Sequence, residues 1–135
     1  ALIVKDNMII SDGFNGTPSG FENECEYVSA CKMSMCNNWH NGTCADIHCT
    51  HAVLTTKPYV LHAEANAITK LAKSHNSAEG ATLYVTLSPC IECAKLIIQA
   101  GIKRVVYKEL YRLSDGIELL KRAGISVEQI NDNMS

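Results

Sequence analysis

Long apolar runs are missing from this 135-residue chain: its apolar stretches, such as Ala1 to Val4 or Leu96 to Ile98, fall far short of the roughly twenty residues of a membrane-crossing helix. No stretch has the succession of charged, apolar and small residues that marks a secretory signal, so neither a membrane-spanning nor a secreted protein is expected. Excess charge of one sign is missing too. Lys and Arg number 12 against 14 Asp and Glu, a net charge of −2, which argues against a polynucleotide partner and for a small substrate. A local basic cluster could still hold one phosphate. Internal repeats and low-complexity tracts are absent, which excludes a repeat architecture. What remains is a chain that is 47% apolar, enough for one domain around a single core and too short for two. Seven cysteines would suggest disulfides in a secreted protein; here the odd count and the metal-like spacing favour thiol ligands in a reducing cytoplasm.

The informative feature is His62-Ala63-Glu64 followed, after a strand-like segment, by Pro89-Cys90-Ile91-Glu92-Cys93. An imidazole and two thiolates fill three of the four tetrahedral positions of zinc and leave the fourth for water. The metal lowers the pKa of that water, and a carboxylate two residues past the histidine is placed to move its proton. A closed structural site would need a fourth protein ligand instead of a free carboxylate. The pairing of H-x-E with P-C-x-x-C is the signature of zinc nucleobase deaminases, in which the glutamate is acid and base and not a ligand.

The surrounding periodicities place these residues. Leu2 to Val4 and Met8 to Ser11 read as a β hairpin joined across Lys5-Asp6-Asn7, leading into the polar loop Asn15-Gly16-Thr17-Pro18-Ser19-Gly20. From about Glu22 to Pro58 no period is visible. Thereafter the pattern predicts helix 62–73, strand 82–87, helix 91–100 ended by Gly101, strand 104–107, helix 115–124 and strand 126–130. His62 and Glu64 then lie in the first turn of one helix, and Cys90 and Cys93 at the start of another, where the helix dipole favours thiolates. The strand, helix and strand over 104–130 predict a parallel crossover.

Gly13-Phe14-Asn15-Gly16-Thr17-Pro18, His62 to Ile68 and Tyr84 to Lys95, together with Leu96 to Lys103, resemble deoxycytidylate (dCMP) deaminase, within the zinc-dependent cytidine and deoxycytidylate deaminase superfamily. The resemblance implies a single α/β deaminase domain over 1–135, with a Cys/His-rich insertion at about 22–58. Its fold would be a three-layer α-β-α arrangement around a five-stranded mixed sheet whose last two strands are parallel. It implies hydrolysis of dCMP to dUMP and ammonia, supplying dUMP for thymidylate synthesis, by a homohexamer activated by dCTP and inhibited by dTTP. Catalytic zinc falls to His62, Cys90 and Cys93, and proton transfer to Glu64. Substrate contacts fall to Asn15, at the sugar 3′-hydroxyl, and to Ala63 and Ser88, with Tyr111 and Arg112 added from their place after strand 104–107. Gly16, Thr17, Ser19 and Gly20 are the candidate effector loop, where Mg2+ would accompany a dNTP. Family members begin with a basic helix. This chain starts inside what should be the first strand, so that helix is expected to be absent and part of the sheet to lose its apolar cover.

Two readings stay open. For the phosphate, Arg112, Lys108 and the loop Thr17 to Gly20 are the candidates, with Tyr111-Arg112 preferred because it follows a strand at the edge where ligands of α/β folds gather. In the insertion, Cys25, Cys31, Cys36, His40, Cys44, His48, Cys49 and His51 could hold a second, structural zinc that closes a loop poor in core of its own, although their spacing matches no standard finger. The alternatives to a dCMP deaminase are a zinc deaminase for a nucleoside, guanine or tRNA adenosine, and a non-catalytic deaminase-like zinc subunit.

Overall fold

The computed structural model of the chain describes residues 1–29, 39–40, 43–44 and 53–131. These fall into two compact units, one formed by Ala1–Gly16 with Leu61–Ser135 and the other by Thr17–Val60.

The first unit is built on a five-stranded sheet. Strands β1 (Leu2–Lys5) and β2 (Met8–Asp12) form the expected hairpin, and Asp6 and Asn7 at its tip take positive φ angles of 51° and 63°. Paired left-handed residues make the tight turn whose twist matches that of the strands, and Asp and Asn tolerate it best after glycine. A register shift between Ile3 and Val4 marks a bulge in this pair. Strands β7 (Thr82–Leu87), β8 (Arg104–Glu109) and β9 (Ser126–Gln129) complete the order β2-β1-β7-β8-β9. Strand β1 is antiparallel to both neighbours, whereas β7, β8 and β9 are mutually parallel. The expected mixed sheet with its last two strands parallel is therefore present.

Three helices connect these strands: α1 (Ala63–Lys70), extended by a 3₁₀ turn at Leu71–Lys73, α2 (Ile91–Gln99) and α3 (Asp115–Arg122). Right-handed crossovers that move the same way across a sheet leave their helices on one face. Accordingly Ala67 of α1, Ala94 and Ile97 of α2, and Ile117 and Leu120 of α3 share one core with Ile3, Leu83, Val85, Val105 and Tyr107. Alternation sends Leu2, Tyr84, Val106 and Glu128, which form one cross-strand row, to the opposite face. There Arg104 grips Glu128 through two bonds of 3.0 and 2.7 Å and donates to the Tyr84 hydroxyl at 3.3 Å. Among the described residues the helices supply one layer; the further layer implied by the family resemblance does not come from them.

Element limits differ from the expected ones in small, explicable ways. His62 is extended (φ −66°, ψ 155°) and caps α1 from outside instead of lying within it. Strand β8 runs on to Glu109, because parallel pairing with β7 continues as far as Leu87 opposite Glu109. Helices α2 and α3 stop short of Gly101 and Gly124, whose φ angles are 84° and 81°.

In the second unit, β3 (Glu26–Ser29) pairs antiparallel with β6 (Val53–Thr56), and β4 (Trp39–His40) with β5 (Thr43–Cys44). These pairs fall where the sequence shows no period. The rings of Phe21 and Tyr59 stand 5.3 Å apart, and the Lys57 ammonium lies 5.3 Å from the Tyr27 ring.

Candidate active site

Two helix starts carry the chemistry, and each is held by a neighbouring segment. His62 offers no side-chain cap to α1. Asn15, beyond the end of β2, supplies one from a distance, its Oδ1 accepting the Ala63 N–H at 2.9 Å. Asn66 donates to the Phe14 carbonyl at 3.0 Å and the Ser11 hydroxyl to the Ala67 carbonyl at 2.6 Å, so the segment 11–15 is stitched along the first turns of α1. Gly13 makes this approach feasible: a Cβ there would overlap the Ala63 carbonyl oxygen and lie 2.5 Å from the Ala67 nitrogen. Gly16 and Leu61 exchange backbone hydrogen bonds of 3.2 and 2.8 Å just before His62.

At the other start, Pro89 and Cys90 lead from β7 into α2 with Cys90 in the capping position, and Cys93 faces inward one turn on. The His62 Nδ1 lies 3.5 Å from Cys90 Sγ and 3.4 Å from Cys93 Sγ. All three donor atoms lie within 4.8 Å of one another. Bond lengths of about 2.05 Å to nitrogen and 2.3 Å to sulfur in a tetrahedron put N and S about 3.6 Å apart, so these residues fit a zinc ion as they stand. Exposure falls from His62, which is open, through Cys90 to Cys93, which is 2% exposed.

Glu64 is a buried carboxylate, 7% exposed, on the first turn of α1. Burial pushes the Cys93 thiol far above its usual range, and the Glu64 carboxylate adds to this by accepting its hydrogen bond and by its charge; Cys90 contributes less. A divalent cation at this spot would oppose that shift by favouring the Cys93 thiolate.

A cleft of about 460 Å³ opens over the cluster, lined among others by Phe14, Asn15, His62, Ala63, Glu64, Leu87, Ser88, Cys90 and Tyr111. Its size is that of a small-ligand site. Of the expected substrate contacts it brings together Asn15, Ala63, Ser88 and Tyr111, while Arg112 is not among the lining residues, its guanidinium standing 5.6 Å from the Tyr111 ring. Ser88 is 2% exposed and braces one wall: its hydroxyl accepts the Tyr111 N–H at 2.6 Å, and its own N–H donates to the Glu109 carbonyl at 2.8 Å. Phe14 and Leu87 line the cleft without having stood out in the sequence. A bulky apolar side chain just before Asn15 was the available signal for Phe14.

The sheet order, the parallel β7-β8-β9 segment and a three-donor cluster at two converging helix starts together match a known pattern. Residues 1–109 fit the family model for the cytidine and deoxycytidylate deaminase zinc-binding region. The chain belongs to this deaminase family. The deoxycytidylate deaminase of Enterobacteria phage T4 is 37% identical to it over 147 residues, spanning 94% of this chain and 76% of the phage protein. The crystal structure of dCMP deaminase from the cyanophage S-TIM5 in complex with dCMP and dUMP is similar, with a TM-score of 0.72 and 41% identity, over 96% of this chain and 78% of that one. A wider relation is seen in a diaminohydroxyphosphoribosylaminopyrimidine deaminase/5-amino-6-(5-phosphoribosylamino)uracil reductase from Thermotoga maritima, with a TM-score of 0.59 and 26% identity, over 95% of this chain and 28% of that one.

The remaining site residues expected for this deaminase family divide between the units. Gly16 belongs to the first, whereas Thr17, Ser19 and Gly20 belong to the second, where the Thr17 hydroxyl donates to the Glu22 carbonyl at 2.9 Å. Of the candidates for a second zinc, Cys25 is half-buried, and its carbonyl accepts the Lys57 N–H at 2.8 Å. His40 and Cys44 lie in β4 and β5. Cys31, Cys36, His48, Cys49 and His51 lie outside the described residues.

Proposed function

We infer that the chain is a zinc-dependent hydrolase converting dCMP to dUMP and ammonia. The observation that carries this reading is Glu64, a buried carboxylate beside a His/Cys/Cys donor set at the floor of a small-ligand cleft. A purely structural zinc has no use for it. His62, Cys90 and Cys93 would hold the metal, which when bound would supply a water of lowered pKa. Glu64 takes a proton from the attacking water as its oxygen bonds to C4 of the ring, and passes that proton to N3. It then accepts the proton of the new hydroxyl and delivers it to the exocyclic nitrogen, so that the C4–N bond breaks and ammonia leaves. One carboxylate serves both transfers because both protons are exchanged across the same side of the ring. Asn15 would meet the sugar, and Tyr111, held by Ser88, would form the wall beyond it.

dCMP is preferred as substrate because the deoxycytidylate deaminase of phage T4 and the cyanophage enzyme bound to dCMP and dUMP are both similar over more than nine-tenths of the chain. The same kinship supports a single deaminase domain with a Cys/His-rich insertion at about 22–58, effector binding of dCTP or dTTP with Mg2+ near Gly16, Thr17, Ser19 and Gly20, and a cytoplasmic homohexamer. A second zinc in the insertion would rest on its Cys and His content alone.

The test is ammonia release by zinc-loaded protein offered dCMP, CMP and deoxycytidine, each with and without dCTP. Turnover of dCMP well above the other two is the expected result. Equal or greater turnover of deoxycytidine would replace the substrate assignment, and inertness on all three with zinc bound would leave a deaminase for another base or a non-catalytic subunit.

A further inference from the structure

The first turn of α3 lies against the metal-bearing loop from outside the cleft. A Cβ built on Gly116 would overlap the Pro89 carbonyl oxygen and stand 2.8 Å from the Cys90 carbonyl carbon and 3.0 Å from its oxygen. Ile117 and Leu120 of α3 belong to the core, and Gly124 beyond its end has open space around it. The contact is with backbone on both sides, so a rotamer change cannot relieve it. It falls on the residue that supplies one of the three donor atoms.

We propose that Gly116 is a positioning residue for the metal centre, setting the height of the Cys90 backbone, and so of its sulfur, relative to His62 and Cys93. The inference rests on the reading of His62, Cys90 and Cys93 as zinc ligands. Ordinary contact begins near 3.4 Å, so a side chain at 116 must drive the two backbones apart by at least about 0.6 Å relative to the 2.8 Å separation from the Cys90 carbonyl carbon, and by more at the Pro89 carbonyl oxygen. Metal–ligand bonds tolerate only about 0.2 Å. The displacement cannot be taken up by α3 alone, because Ile117 and Leu120, 6% and 0% exposed, pin that helix into the core beside α2. Nor does Cys90 move freely, since its carbonyl accepts the Ala94 N–H at 2.9 Å and begins the hydrogen-bond ladder of α2. The Cys90 loop is thus held from below by α2 and from the side by α3, and only glycine lets the second support come close enough.

The experiment compares the parent chain with Gly116→Ala and with Leu120→Ala, which loosens α3 in the core about one turn beyond the contact with Pro89 and Cys90. Zinc affinity is measured by chelator competition, the ligand field by the visible spectrum of the Co2+ form, and global stability by urea. Disturbing the support of a metal ligand typically costs about 10- to 100-fold in affinity, and Gly116→Ala is expected to fall in that range with altered Co2+ bands. Leu120→Ala should lose stability while keeping parental affinity and spectrum. Gly116→Ala with parental affinity and spectrum overturns the proposal. If that variant does not fold, Gly116→Ala combined with Ile117→Ala, which frees the start of α3 to lift away, decides: recovery of both fold and spectrum supports it, and failure of either overturns it. A parent without thiolate-to-Co2+ absorption, or one in which Cys90→Ser leaves that absorption unchanged, removes the metal reading itself and this inference with it.

Discussion

Replacing Glu64 by Gln removes a proton carrier while keeping its shape, and the structure sets what should follow. The carboxylate is 7% exposed and hydrogen-bonded by the Cys93 thiol, so the isosteric amide fills the same space and leaves no cavity. General acid and base catalysis by a positioned side chain contributes about 10²- to 10⁴-fold. At about 1.36 kcal/mol per decade, the barrier should rise by about 3 to 5 kcal/mol. Metal binding should respond in the opposite sense. Of the influences that hold the Cys93 thiol in its neutral form, Glu64 contributes both a hydrogen bond and a charge, second only to burial. Without them the thiol ionises more readily, so the Gln variant should bind zinc at least as tightly as the parent. The assay pairs ammonia release from dCMP with zinc affinity by chelator competition. A variant that keeps more than a tenth of parental kcat, or that loses its zinc, would refute the assignment of Glu64 as the proton carrier.

Four further outcomes are expected. Because burial raises the Cys93 thiol above its usual value of 9.0, metal must displace a proton there, and the apparent zinc association constant should rise at least tenfold per pH unit between about pH 6 and 8; a flat profile would contradict this. By the same linkage the metal-free protein is fully stabilised by the neutral thiol below pH 9.0. It should lose stability to urea as pH rises beyond that value, where the unfolded thiol ionises and the folded one does not. Asn15→Ala strips α1 of its remote cap at the Ala63 N–H and should cost about 0.5 to 2 kcal/mol in urea denaturation as well as raising KM, whereas Asn15→Asp keeps the acceptor and the stability; an Ala variant as stable as the parent would exclude the capping role. Ser88→Ala leaves the Tyr111 N–H without its acceptor, for which about 1 to 3 kcal/mol of stability and a higher KM for dCMP are expected, and unchanged values of both would show that this bond does not brace the wall.

Much of this was legible in the chain itself. The hairpin at Asp6-Asn7, the alternation of Leu83 and Val85 with Tyr84, and the glycines after α2 and α3 are local signals, because turn chemistry and side-chain period act over a few residues. So is the donor set, since a Cys pair three apart at a helix start and a His two before a Glu are each fixed by a single turn of backbone. The stretch from Glu22 to Pro58 was not legible, because short strands such as Glu26–Ser29 and Val53–Thr56 find each other across more than twenty intervening residues, and no local period records such a pairing.

What the sequence determined, then, is the identity of the three-donor cluster, the carboxylate beside it and the order of the strands and helices outside Glu22–Pro58, since each follows from residue type and short-range spacing. Only tertiary structure decided that Asn15 caps a helix 48 residues away, that Tyr111 lines the cleft and Arg112 does not, and that Gly116 is pressed against Cys90. These are contacts between segments that meet only because two helix starts are folded onto one edge of the sheet. Their geometry is set by packing in the shared core, where Ala67, Ala94, Ile97 and Leu120 come together from three helices.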